Sequence, residues 1–393
     1  TANSYIGIFI IMFSIISSGM VSVMTQNIGA GRPGVAYQAR QLGLLFNAVA
    51  GVLMAVFLFS GAGAILRMVG IADALYEPAL IYLKIVGGGC ILNAVIPIFS
   101  SYLRAFGYTK QPLYATIVGN IANFVMNAVF LFVLHKGVAG VATATVISKI
   151  LNLCIVLYFS HKLISAKNST ERIANKTVLG QIVKVGLPSA CETALYNVAM
   201  MLVIRFLNQM DAEGLNVTAR SYTATISNFS YCVGAALAQA NAIMTGWHIG
   251  AGELEECDRG TKRAAFVGVC VAVCMETAIV LGSGFIMPLF TDNPEMTALV
   301  RKLLAIDIVL EIGRVTNLVF GQALKTSGDA VFPAVIAAVF MFVFAVGGTW
   351  LFGISMGLMA VGAYIGLASD ECVRAVGMVW RWKTGKWRTK KLV

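Results

Sequence analysis

The chain has 393 residues, of which 58% are hydrophobic and only 12% are charged, whereas soluble globular proteins carry roughly 25% charged residues. This composition excludes a soluble domain. The net charge of +11 does not indicate nucleic-acid binding, because the basic residues concentrate in a few loops and in the C-terminal tail RWKTGKWRTKKLV. The eight Cys residues include no CxxC pair, so we expect no metal site, disulfide framework or cofactor.

Long apolar segments recur along the whole chain, each about as long as the roughly 17–25 residues that cross a bilayer. They lack the alternation of β-strands, so we predict an all-α polytopic membrane protein with eleven spans present. The segments lie at about 5–26, 37–66, 79–103, 113–134, 138–161, 181–209, 217–246, 263–290, 298–324, 331–353 and 357–381.

One polar stretch, KLISAKNSTERIANKTVLG, divides the chain into two halves. Lys and Arg are concentrated on the side of the membrane that holds this stretch and the tail, which places both in the cytoplasm. We therefore predict a multi-pass protein of the plasma membrane with an N-lobe at 1–161, a cytoplasmic linker at 162–180, a C-lobe at 181–381 and a basic cytoplasmic tail at 382–393.

The string IGAG occurs twice, at Ile28–Gly31 and at Ile249–Gly252, 221 residues apart. Neither copy has the GxxxxGK[ST] pattern of a phosphate loop, so we expect the glycines to form tight turns. The same offset relates Leu103 to Leu324, Gly107 to Gly328 and Pro112 to Pro333. Such a repeat predicts two pseudo-symmetric six-helix lobes, a recurring plan of secondary transporters.

The repeat also makes a prediction about the start of the chain. The partner of the span at 181–209 would precede residue 1, so the first lobe holds five of its six helices. We expect an N-terminally truncated chain that lacks the first helix of the first lobe.

The repeated strings resemble the MATE (multidrug and toxic compound extrusion) family. The resemblance rests on QNIGAGRPGVA, WHIGAGELEEC, SSYLRAFGYTKQP, GQALKTSGDAVFP and GLPSACETALYN. It implies two six-helix lobes and a secondary active antiporter, not an enzyme. The antiporter would export organic compounds or drugs, with H+ or Na+ as the coupling ion. The expected partners are a small organic substrate and membrane lipid, and the expected state is a monomer.

Charged residues inside the predicted spans are candidates for the coupling site, because each costs about 2.5–3.5 kcal/mol at mid-bilayer on insertion scales. Asp307, Glu311 and Arg314 lie at i, i+4 and i+7, on one helix face. We predict that they bind the coupling ion or substrate, and the alternative is an ion ladder that fastens helices. Glu192, with Tyr196 one turn on, is a further candidate, and the alternative is a structural hydrogen bond.

The resemblance is incomplete at this site. Better-known branches of the family carry an Asp about eleven residues before the Arg of their L-R-x-x-G motif. Counting back from Lys325, this position holds Arg314, and Glu311 is the nearest carboxylate.

The resemblance also points to a possible N-lobe site at Asn123, Asn127 and Thr145. Asn127 stands where one branch of the family has an Asp, and an amide cannot titrate. The alternative is amide bonding between helices.

Further intramembrane charges are predicted to form helix–helix ion pairs. They are Asp370, Glu371 and Arg374, with Lys149 near the symmetric position in the other lobe. Lys84 and Glu276 stand alone.

An alternative function within the same superfamily is a flippase of lipid-linked oligosaccharide or another lipid precursor. Such a protein would need a cationic cavity, whereas the predicted intramembrane acids outnumber the bases, which favours organic cations. The acids are Glu192, Glu276, Asp307, Glu311, Asp370 and Glu371; the bases are Lys84, Lys149, Arg314 and Arg374. An intramembrane enzyme is disfavoured because HExxH is absent from the sequence and the three His residues, at 135, 161 and 248, are not clustered.

Overall fold

The computed structural model describes residues 2–68, 73–164, 171–211 and 214–393, with the side chains of 2–12, 14, 68 and 73–75 left undescribed. These residues are almost all helical and include no strand, which confirms the predicted all-α fold. The helices are α1 (Ala2–Gly29), α2 (Pro33–Met68), α3 (Asp73–Gly88), α4 (Cys90–Ala105), α5 (Lys110–Ala128), α6 (Gly137–Leu163), α7 (Asn175–Met210), α8 (Leu215–Ala251), α9 (Leu254–Ile286), α10 (Pro294–Thr326), α11 (Val331–Phe340) and α12 (Met359–Lys383).

Each of the eleven predicted spans coincides with helical structure. A break at Gly89 divides one span into α3 and α4, and π-helical turns extend α5 to Val133 and α11 to Ser355. Seven helical segments among the described residues are long and apolar enough to cross a membrane. The other spans fall on α1, α8, α10 and α12, and the last three carry buried polar and charged side chains.

The chain forms two compact units, Thr1–Ala190 and Cys191–Val393. The division falls inside α7, which begins at Asn175, so the last six residues of the predicted linker are helical. Just before α7 begins, the Ile173 carbonyl accepts a hydrogen bond at 2.7 Å from the side-chain amide of Gln38 on α2. The Ile173 backbone N–H donates to the side-chain oxygen Oε1 of Gln38 at 3.2 Å. These bonds tie the linker to the first unit.

Close approach of backbones in the first unit requires glycine. A Cβ atom at Gly19 of α1 would collide with the Ile182 carbonyl of α7, and one at Gly186 would collide with the Ile15 carbonyl. Small residues at such positions allow helices to pack by van der Waals contact, since lipid provides no hydrophobic driving force between them.

In the second unit, α10 packs against α8, α9 and α12. Gly313 lets α10 approach α12 closely, because a Cβ atom there would lie 2.7 Å from the Cys372 backbone nitrogen. This contact brings the charged residues of the two helices together.

The two IGAG strings form turns, as predicted. They end α1 and α8, and their last glycines, Gly31 and Gly252, have left-handed φ angles of 73° and 80°. Gly107 and Gly328 repeat this conformation at φ of 85° and 97°. Only glycine adopts such angles without steric cost, so the repeat marks equivalent turns.

The C-terminal tail is docked on the second unit. The Trp387 ring stacks on Trp382 at 4.2 Å between centroids, and its indole N–H donates to the Trp382 carbonyl at 3.0 Å. The Trp382 indole donates to Asp258 at 2.7 Å, and Arg388 lies 2.6 Å from Glu255. The tail is therefore held against the start of α9.

We expect Trp387→Ala to release this tail, because truncating a buried Trp costs about 3–5 kcal/mol. Trypsin should then cleave at Lys386 and Lys390 faster than in the unaltered chain. The matched control is Trp380→Ala, since Trp380 is 57% exposed. Equal cleavage rates for the two variants would refute the docking.

Candidate functional site

The second unit encloses a cavity of about 470 Å³. Its lining includes four carboxylates and four cations, drawn from α7, α8, α10 and α12. They are Glu192, Asp307, Asp370, Glu371, Arg220, Arg314, Lys325 and Arg374.

A network of buried charges joins α10 to α12. Arg314 donates to Glu311 on its own helix, and its Nε lies 3.8 Å from the Glu371 carboxylate. Arg374 lies 2.8 Å from Glu371 and 2.7 Å from Asp370. The structure therefore brings Asp370, Glu371 and Arg374 together, along with Glu311 and Arg314. In lipid, each of these charges requires such partners.

Glu192 of α7 lies 2.8 Å from the Lys325 ammonium of α10. The side chains are 21% and 11% exposed, so the pair is shielded but borders the cavity. The pair links α7 to α10.

Asp307 has a different environment. Its side chain is buried, its Oδ2 has no hydrogen-bond partner within the described chain, and none of the ion pairs found there includes it. The Ser227 hydroxyl of α8 lies beside it. Asp307 is thus a cavity-facing carboxyl that no described salt bridge holds, although the Arg314 charge on the same helix acts on it.

Glu276 of α9 is fully buried. The Ser230 hydroxyl lies beside its carboxyl, but neither Glu276 oxygen makes a hydrogen bond of good geometry to a described group. The sequence predicted that Glu276 stands alone. In the structure, however, its charge interacts with those of Asp307 and Glu311. The sequence of α9 could have predicted this burial, because Glu276 continues the helical spacing of the small residues Ala265, Gly268 and Ala272, which are buried as well.

Arg220 of α8 was missed as a candidate. It lines the cavity, and its Nη2 lies 3.7 Å from the Met200 sulfur. It is a charged residue inside the predicted span 217–246, so the criterion applied to the other candidates would have found it.

Two of the three N-lobe candidates, Asn123 and Thr145, line a smaller cavity of about 180 Å³, and Asn127 is bonded to Asn123. Asn127 donates to Asn123 at 3.1 Å, and Asn123 donates to the Ser148 hydroxyl at 3.3 Å. Thr145 lines the cavity and donates to its own helix at the Val141 carbonyl. Lys149 also lines it, and its ammonium donates to Asn93 at 2.7 Å. Within this unit, Lys149 is not part of a described ion pair.

Helical units with membrane-spanning segments and a charged internal cavity define a polytopic membrane protein of the transporter class. The chain belongs to the MatE family, whose model matches residues 1–129 and 188–351. It is thus a MATE family transporter. It is 31% identical over 395 residues to the uncharacterized transporter YisQ of Bacillus subtilis (strain 168), covering 99% of this chain and 86% of that protein.

Solved structures show the same fold at lower identity. A crystal structure of MATE in the straight conformation is 20% identical, with a TM-score of 0.86 over 98% of this chain and 87% of that chain. An outward-facing multidrug resistance MATE transporter of the MOP superfamily is 19% identical, with a TM-score of 0.86 over 99% of this chain and 87% of that chain. A MOP superfamily transporter of Pyrococcus furiosus, described as having a binding pocket of reverse polarity, is 19% identical. Its TM-score is 0.81 over 98% of this chain and 87% of that chain.

Proposed function

We propose that this transporter is a secondary active antiporter that exports organic cations in exchange for H+ or Na+. The observation that carries the proposal is Asp307, a buried carboxyl that faces the cavity with one oxygen unpartnered. A carboxylate that no salt bridge holds can be neutralised by an exchangeable cation. The paired carboxylates around it lack this freedom.

The charge balance around the cavity supports a cationic substrate. Lining carboxylates and cations are equal in number, but Glu276 and Glu311 are further carboxylates whose charges interact with Asp307 and Arg314. Together with them, the region holds six carboxylates against four cations. A permanent organic cation is favoured by the excess negative charge.

Aromatic and thioether side chains provide the apolar part of the proposed binding site. Tyr196, Tyr231 and Tyr364 line the cavity with Met200 and Met341. Tyrosine faces attract cations, by about 0.5–2 kcal/mol, and methionines adapt to ligands of different shape. This lining suits flat, hydrophobic cations.

In the proposed cycle, Asp307 binds either the coupling cation or the substrate. Protonation or Na+ binding removes the negative charge that attracts the organic cation and so favours its release. Loss of the proton or Na+ restores the charge and the affinity. The proposed setting is the plasma membrane, with the linker and tail in the cytoplasm and the chain acting as a monomer.

The experiment that tests this function reconstitutes the chain in vesicles loaded with ethidium, a permanent organic cation. A pH gradient and a Na+ gradient are imposed separately, with protein-free vesicles as the control. We expect one gradient to drive ethidium transport and so to identify the coupling ion. Transport that is independent of both gradients would refute the antiport mechanism.

A further inference from the structure

The small cavity of the first unit has a polarity opposite to that needed for a coupling cation. Its lining is Gly119, Asn120, Asn123, Thr145, Ser148, Lys149 and Asn152. Lys149 is the one charged side chain in this set. The cavity therefore presents amide and hydroxyl groups around a single positive charge.

Residues 1–190 offer few carboxylates to balance that charge. The sequence places only Asp73, Glu77 and Glu171 in this range. Asp73 and Glu77 lie at the start of α3, and Glu171 lies in the linker. Lys149 lies within α6, thirteen residues into the helix; its described hydrogen bond is to the neutral Asn93 amide, and the Cys90 thiol also lies near its charge.

An ammonium group within a membrane span is costly unless a counter-charge or hydrogen bonds compensate for it. Asn93 provides one hydrogen bond, whereas an ammonium has three N–H donors. The remaining donors are available to an anion that enters the cavity. We propose that this cavity binds a small monovalent anion, either a halide or a carboxylate group, through Lys149.

The surrounding side chains order the site. The bonds from Asn127 to Asn123 and from Asn123 to Ser148 fix these side chains along α5 and α6. Gly119 also lines the cavity, and a Cβ atom there would make ordinary contact, at 3.4 Å, with the Asn152 Cβ and the Ser148 carbonyl. A larger side chain at Gly119 would project into the cavity.

The proposal does not depend on the antiport function, since it concerns a different unit and can be tested on the purified chain without transport. The thermal unfolding midpoint of the full chain in detergent is measured as chloride or acetate replaces gluconate at constant ionic strength. We expect a saturable rise in Tm. A response to chloride alone identifies an inorganic anion, and a response to acetate identifies a carboxylate ligand.

Lys149→Met should weaken the apparent anion affinity by about tenfold or more, because a hydrogen bond to a charged group is lost. Lys149→Arg should retain much of the affinity. The matched control is Lys84→Met, because Lys84 is another intramembrane lysine, near the Phe59 ring and outside the cavity lining. It should respond to anions as the unaltered chain does.

Gly119→Val keeps Lys149 and fills the cavity, so it should also abolish the anion response even if Lys149→Met fails to fold. The absence of a saturable response to both anions in the unaltered chain would overturn the proposal. An unchanged response in Lys149→Met or Gly119→Val would do so as well.

Discussion

Asp307→Asn is expected to abolish gradient-driven export of ethidium while the protein remains folded. The amide has nearly the shape of the carboxyl but cannot bind a proton or carry a negative charge at neutral pH. Folding should be retained because Asp307 belongs to none of the described ion pairs of its unit. The measurement is the initial rate of ethidium transport in vesicles under the coupling gradient.

The matched control is Glu295→Gln, which removes an exposed carboxylate from the first turn of the same helix. It should leave the transport rate close to that of the unaltered chain. A normal coupled rate in Asp307→Asn would show that the exchangeable cation binds elsewhere.

Arg314→Met is expected to destabilise the protein strongly, by about 3–5 kcal/mol, because it leaves buried carboxylates without their partner. Glu311 is 1% exposed and Glu371 is 10% exposed in their pairs with Arg314. Thermal unfolding in detergent and the yield of monodisperse protein measure the effect. Adding Glu311→Gln to Arg314→Met should restore part of the stability, since one unpaired charge is removed.

The control for this variant is Arg259→Gln near the start of α9. Arg259 and Glu256 form an exposed pair at 3.1 Å, and such pairs contribute about 0–1 kcal/mol. A loss of stability in Arg314→Met no larger than in Arg259→Gln would mean that the buried network does not hold α10 to α12.

The sequence predicted the helices well because membrane spans are encoded locally. Apolar length and the absence of alternation identify a span without knowledge of its neighbours. The 221-residue repeat likewise identified the turns at Gly31 and Gly252 before their φ angles were known.

The arrangement of buried charges was harder to predict from the sequence, because it depends on which helices are neighbours in the fold. Spacing along α10 correctly placed Glu311 next to Arg314, but it could not show that Glu371 of α12 shares that arginine. Nor could it place Glu276 near Asp307, since α9 and α10 meet only in the folded unit. The predicted role of these residues in ion coupling remains a prediction.

The contacts of the C-terminal tail were likewise not predictable from the sequence. Its basic residues predicted a cytoplasmic location, but they gave no sign of the stack between Trp382 and Trp387 or of the bond to Asp258. That bond joins residues far apart in the chain, and no local pattern encodes it.

The most direct test of the proposed coupling measures ethidium affinity of the purified chain as pH and Na+ concentration are varied separately. If Asp307 exchanges a coupling cation for the substrate, affinity should fall as either pH decreases or Na+ increases, and Asp307→Asn should lose this dependence. An ethidium affinity of the unaltered chain that is insensitive to both pH and Na+ would contradict the account.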